Sequence, residues 1–221
     1  MAGMKIIACL AASLDGKIAT RDVLENPESE IRIGSQHDLE HLLRVRTEAD
    51  AVLMGAGTFR AYGNPRRDAN QRAVPLHVIV TRSGHLNPQA SLFKADLAIA
   101  TIVFSPAAVS SETRRQYPPS VEWVATGDNP VAMIVNTLSA RGVQTLLIEG
   151  GGEMLDLFLR ARALDELVLT ICPLLLGGRD VPGLLTGAGF YIHEAPRVSI
   201  RTLEQVENEL YLRLGLTYSQ G

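Results

Sequence analysis

Two cysteines, one tryptophan and an aromatic fraction of 5% in 221 residues mark what this chain does without. Cys9 and Cys172 stand in apolar runs with no CxxC or Cys/His spacing around them, which argues against a metal site. They read as buried thiols of a reducing compartment. An excess of positive charge is missing too. The chain has 21 Lys and Arg against 24 Asp and Glu, a net charge of −3, so no global field collects phosphate backbones and nucleic acid is not expected as a partner. Long hydrophobic runs are absent as well: the N-terminal one, residues 6–12, is broken by Ser13-Leu14-Asp15-Gly16-Lys17 before it reaches membrane length. Lys5 alone is a thin start for a secretion signal. These absences predict a cytoplasmic protein with no membrane partner.

What is present is a core of small aliphatic residues. The apolar fraction is 46% with few aromatics, the make-up of an α/β protein, and 221 residues suit one domain, 1–221. Short Val/Ile/Leu runs bounded by Gly, Pro and Asp at 5–12, 51–55, 76–80, 97–101, 121–124, 145–149 and 166–172 predict strands. Their weak alternation predicts that both faces are covered. Ser35 can cap a helix carrying Leu39, Leu42, Leu43 and Val45 on one face and running towards Glu48. Asn129, Pro130 and Gly142 bracket a second helix over 130–141, and a third starts in Gly150-Gly151-Gly152 and carries Arg160 and Arg162 in its last turn. Residues 197–205 and 209–217 alternate around 206–208, an antiparallel hairpin closing a mixed sheet. Two long Gly/Pro-rich loops, 60–75 and 177–196, are places for substrate contacts.

Three sites carry chemistry. In Ile148-Glu149-Gly150-Gly151-Gly152-Glu153-Met154-Leu155 a buried strand meets an amphipathic helix through three glycines, which let backbone N–H groups and a helix N-terminus approach a pyrophosphate. By itself such a turn can also be a plain strand-to-helix connector. A second glycine site, Gly55-Ala56-Gly57-Thr58, follows a strand and opens a short helix; Thr58 can cap it or offer a hydroxyl to a phosphate. At the third, Thr81-Arg82-Ser83 ends a strand with a guanidinium between two hydroxyls, a receptor for a 2′-phosphate that favours NADPH over NADH, or else a solvated turn.

With Ala12-Ser13-Leu14-Asp15-Gly16-Lys17-Ile18-Ala19, the segment from Leu43 to Gly55, Leu164-Asp165-Glu166-Leu167 and Pro173-Leu174-Leu175-Leu176-Gly177-Gly178, these motifs follow in an order and spacing that resembles the reductase domain of riboflavin biosynthesis. The resemblance covers nearly the whole chain. It implies the dihydrofolate-reductase-like fold, a mixed, mainly parallel sheet flanked by helices with a C-terminal antiparallel hairpin. It further implies an NADPH-dependent reductase that turns the ribosyl group of a phosphoribosylamino-pyrimidine into a ribityl chain. The cofactor contacts it implies are Ala12, Ile18, Gly55, Thr58, Thr81, Arg82, Ser83, Gly150, Gly151, Gly152, Glu153, Met154 and Leu155. Arg46 and Glu149 are implied as substrate contacts, Arg46 towards the phosphate; Arg66 or Arg67 is a further candidate for that task. A homodimer is implied too, its interface sought near residues 167–176.

The chain departs from the pattern on the substrate side. Members of the family usually carry Asp-Asp-Pro or Asp-Asn-Pro after the threonine turn and often a lysine in the first strand. Here the loop reads Thr58-Phe59-Arg60-Ala61-Tyr62-Gly63-Asn64-Pro65, closer to folate reductases, and the strand position is Cys9. A pterin or folate reductase and a non-catalytic NADPH-binding protein are therefore the alternatives. Asp38 lies near the acidic position of a folate reductase, though a first-turn Asp favoured by the helix dipole explains it as well. Glu149 has a second reading of its own, as a carboxylate holding the glycine turn's N–H groups. No deaminase zinc motif is present, so a stand-alone reductase is expected, and no proton donor is evident.

Overall fold

Runs of Val, Ile and Leu with no polar face need cover on both sides, and here a nine-stranded sheet between two helical layers supplies it. The fold was obtained as a computed structural model that describes residues 3–26, 31–62, 74–94 and 99–219. In chain order the elements are β1 (Lys5–Ser13), α1 (Arg21–Glu25), α2 (Gln36–Arg46), β2 (Ala51–Gly55), α3 (Ala56–Tyr62), β3 (Leu76–Val80), β4 (Thr101–Ser105) and α4 (Ser111–Arg114). There follow β5 (Val121–Ala125), α5 (Pro130–Ser139), β6 (Thr145–Glu149), α6 (Gly152–Arg160), β7 (Glu166–Cys172), β8 (Arg197–Val206) and β9 (Glu209–Thr217). The sheet order is β5-β4-β3-β2-β6-β1-β7-β9-β8. Pairing is parallel from β5 to β7 and antiparallel for β7–β9 and β8–β9, the mixed sheet and closing hairpin expected.

One strand sits elsewhere than its sequence pattern indicates. Ile99 and Ala100 precede the strand, and β4 is Thr101–Ser105, every residue of it buried between β3 and β5; residues 97 and 98 lie outside the described set. Ile102-Val103-Phe104 fills the interior position, while Ile99 joins a side cluster. Helix α2 stops at Arg46 because Thr47 turns its hydroxyl back onto the Arg44 carbonyl at 2.6 Å and the next N–H groups make tight i→i−3 turns. Ser35 caps it as expected, accepting from His37 and Asp38 N–H, and Asn129 caps α5 through Ala132 N–H. Helix α6 ends at Arg160, and Arg162 lies beyond it in the left-handed region at φ 55°.

Alternate residues of each strand feed two cores. One face sends Ile6, Ala8, Leu146, Ile148, Leu167 and Leu169 against α5 and α6; the other sends Ile7, Cys9, Val52, Leu147 and Val168 against Val45 and Leu42 of α2. Four aromatics, Phe59, Phe93, Tyr117 and Trp123, form a third cluster packed on Ile79 and Val103. Within the stretch 167–176, β7 lies between β1 and β9 with Leu167, Leu169 and Cys172 buried, whereas Leu174 and Leu175 beyond the strand are exposed. A further apolar surface lies on the edge strand β8, where Val198, Ile200 and Leu203 are 57%, 63% and 59% exposed.

Candidate active site

The carboxyl ends of β3, β2, β6 and β1 are neighbours in the sheet, so Thr81, Gly55, Gly150 and Ala12 come together from distant parts of the chain. Ligands of open α/β sheets bind along such an edge. Gly150 and Gly151 take φ of 86° and 82°, which side chains rarely adopt, and a Cβ on Gly150 would stand 2.9 Å from Thr58 Cγ2. The space over the turn thus depends on the missing side chain. Gly151 caps α6 with no side-chain acceptor, which leaves the helix end to an anion.

Thr58 is not a cap. It is the third residue of α3 and lies against the glycine turn, where it closes one side of the cradle. Met154 packs over Gly55, where a Cβ would meet Met154 Cγ at 3.3 Å. Leu155 corrects an expectation: its side chain is buried in the core and its N–H is taken by the Gly151 carbonyl, so it anchors α6 rather than contacting a ligand. Ala12 is likewise core at the end of β1. Thr81 is buried with its hydroxyl 3.5 Å from that of Ser83, whereas Arg82 projects into solvent and pairs with Glu153 across 3.1 Å. Arg82 and Ser83 open on a cleft of about 280 Å³ that His85, Ser110 and Thr113 help to line.

The other wall comes from the loop 177–196, which the sequence marks as a place for substrate contacts without showing what it packs against. Residues 181–186 fold back on the Ser13–Ile18 turn: Lys17 bridges Gly183, Ile18 N–H donates to the Pro182 carbonyl and Leu184 N–H to that of Gly16. A Cβ on Gly152 would strike the Gly183 carbonyl at 2.6 Å, so this loop lies on the glycine turn itself. Asp15 fixes the turn by accepting from Ser13 Oγ and from the N–H groups of Leu176 and Gly177, and those bonds, Ser13 first, hold its pKa down at about 2.

Arg46 and Glu149 are brought together, by each other. The guanidinium grips the carboxylate through Nε and Nη2, and both residues are buried, at 5% and 7% exposure. The pair fastens the last turn of α2 to the residue just before Gly150. Beside it Cys9 faces Glu149 across the β1–β6 register, and burial, with the Glu149 charge, pushes its pKa well up; burial lifts the Cys172 thiol to about 12. Neither thiol is a nucleophile at neutral pH. Asp38 is more than a first-turn residue. Half-buried under α2, it accepts a hydrogen bond from Thr170, and burial raises its pKa, with the Glu209 charge adding to the rise. Residues 63–67, with Gly63-Asn64-Pro65, Arg66 and Arg67, lie outside the described residues.

Known proteins share this architecture and sequence. A 2,5-diamino-6-ribosylamino-4(3H)-pyrimidinone 5′-phosphate reductase of Archaeoglobus fulgidus is 28% identical over 195 residues, covering 82% of this chain and 85% of that protein. The riboflavin biosynthesis protein RibD of Bacillus amyloliquefaciens is 28% identical over 91% of this chain and 54% of its own length. Among solved structures, a pyrimidine reductase-like protein of Corynebacterium diphtheriae superposes with a TM-score of 0.79 at 24% identity, covering 98% of this chain and 93% of that one, which shows the same fold. The RibD C-terminal domain family matches residues 4–212, and with so much of its length inside that match the chain belongs to this family.

Proposed function

We propose that the chain reduces a phosphoribosylamino-pyrimidine of riboflavin biosynthesis with NADPH, converting the ribosyl group to a ribityl chain. The observation that carries this reading is the side-chain-free turn of Gly150 and Gly151 at the open N-terminus of α6, flanked by Arg82 on one side and the buried Glu149 on the other. The names of the relatives support the substrate class.

A dinucleotide fits these residues. Gly150–Gly152 and the α6 N–H groups would hold the pyrophosphate, Thr81, Arg82 and Ser83 the 2′-phosphate, and Ala12 and Ile18 would stand beside the nicotinamide. When bound, NADPH supplies the hydride. The protein's own part is orientation and exclusion of water. Glu149, held in one orientation by the two N–H donors of Arg46, presents its carboxylate at the end of β6 to substrate hydroxyl or amine groups. Arg46 and Glu149 share a bidentate contact, so the two would meet the phosphorylated substrate as a joined pair. The loop 181–186 shields the Ser13–Ile18 turn. The buried thiols, free of disulfides, suit a cytoplasmic enzyme. The apolar face of β8 suits a homodimer.

Asp38 favours a second reading, a pterin reductase, because a half-buried carboxyl with a raised pKa can hold a heterocycle's N–H edge. Both readings meet one experiment: NADPH consumption with the diamino and the deaminated phosphoribosylamino-pyrimidines and with dihydrofolate. Turnover of a pyrimidine alone is the expected result. Turnover of dihydrofolate alone would overturn the first reading in favour of the second.

A further inference from the structure

We propose that Glu153 sets how strongly this chain prefers a 2′-phosphorylated dinucleotide, by competing with the phosphate for the guanidinium of Arg82. The inference rests on the cofactor reading above. Arg82 follows β3 and Glu153 stands in the first turn of α6, so their 3.1 Å contact reaches across the end of β2, which lies between β3 and β6. Among the described residues Glu153 is the partner of Arg82.

Two features distinguish this pair from an ordinary surface contact. The carboxylate occupies the first turn of a nine-residue helix whose cap, Gly151, offers no side-chain acceptor, so Glu153 sits in the field that would otherwise be left to an anionic ligand. Arg82 also lines the cleft shared with Ser83, His85, Ser110 and the apolar Ala108 and Val109, a space large enough for part of an adenosine, and Glu153 is not among its walls. The side chains are 84% and 58% exposed, and a pair so open to water separates readily. A phosphate dianion that takes Arg82 must displace the carboxylate and then remain beside its like charge. A free 2′-hydroxyl meets no such conflict, because a carboxylate accepts its hydrogen bond. Cofactor preference is therefore a balance between two residues: Arg82 favours the phosphate and Glu153 opposes it.

The test is binding, read by calorimetric titration without any substrate, for the wild type, Glu153→Gln, Arg82→Ala and the double variant. The probes are NADPH, NADH, 2′,5′-ADP and 5′-AMP. Glu153→Gln is expected to tighten NADPH and 2′,5′-ADP about fivefold, leaving NADH and 5′-AMP unchanged or weaker. The gain should shrink in high salt and vanish when Arg82 is absent. Glu153→Asp, which keeps the charge, should not show it, and melting temperatures within about 3 °C of wild type would show an intact fold. An equal change for phosphorylated and unphosphorylated probes, or a gain that survives Arg82→Ala, overturns the proposal while the cofactor reading stands. A wild type that binds neither NADPH nor 2′,5′-ADP overturns both.

Discussion

A buried guanidinium and a buried carboxylate are each costly to take from water, and Arg46 and Glu149 are tolerable only as a pair. Removing one charge should therefore be worse than removing both. Arg46→Met is expected to cost about 3 kcal/mol in urea unfolding, and Arg46→Met with Glu149→Gln clearly less. Equal losses for single and double variants would mean that the charges are not coupled. Asp38 makes the opposite kind of prediction. Burial raises its folded pKa above the ordinary value of 3.8, so the folded state binds the proton more tightly than the unfolded chain does. Its ionisation thus costs stability as pH rises through the folded pKa, and the cost persists at neutral pH. Asp38→Asn should melt higher than wild type at neutral pH, with the difference fading as pH falls towards 3.8. A difference that grows in acid would show that the carboxylate is stabilised where it sits. At this scale the sequence was half legible. Gly150, Gly151, Thr58 and Arg82 are picked out by residue type and spacing, and the sheet order brings them to one edge. The grip of Arg46 on Glu149 joins residues far apart in the chain, and no local pattern encodes such a contact.

At the scale of elements, runs flanked by turn residues were readable to the residue: β2, β3, β6 and β7 start and stop where Gly, Pro and Asp say they should. Helices α1 and α4 are too short to show a 3.6-residue pattern, although Thr20 and Ser110 cap them. The loop 177–196 was picked out by its composition, but the docking of 181–186 on Gly152 was not, since that role lies in carbonyls and not in side chains. What ties the hairpin to the sheet is also tertiary. Glu166, almost fully buried on β7, receives Lys5 of β1, Arg201 of β8 and Arg213 of β9, and Arg213 in turn holds Glu48 after α2. Burial alone would raise the Glu166 pKa, but the bonds from Arg213 and Lys5 outweigh it and the net shift is downward. Glu166→Gln should therefore release β8 and β9 first: amide exchange across 197–217 should accelerate more than in β1 or β6. Uniform acceleration would show that the hairpin is no separate unit.

For the molecule as a whole, the sheet has two edges, and they are unequal. At one, β5 is five residues long; at the other, β8 has ten residues with Val198, Ile200 and Leu203 turned to one side. A long apolar edge is left open only where something covers it, and a second copy is the occupant proposed here. Ile200→Lys with Leu203→Glu should convert a dimer to a monomer in sedimentation while NADPH still binds; an unchanged sedimentation coefficient would remove this face from consideration.

The place of β1 in the sheet order also bears on how the chain comes to be folded. β1, the earliest of these strands in the chain, lies in the interior of the sheet, yet both its neighbours come late, with Lys5 beside Thr145 and Ile7 beside Glu166. On the ribosome, β1 emerges with two unsatisfied edges and must wait until most of the polypeptide has been made. Until then its apolar residues have no native shelter, and closing so long a loop is slow in entropic terms. Nascent chains that stop before residue 149 should accordingly stay protease-sensitive and depend on chaperones, while chains extended past β7 let the sheet close around β1.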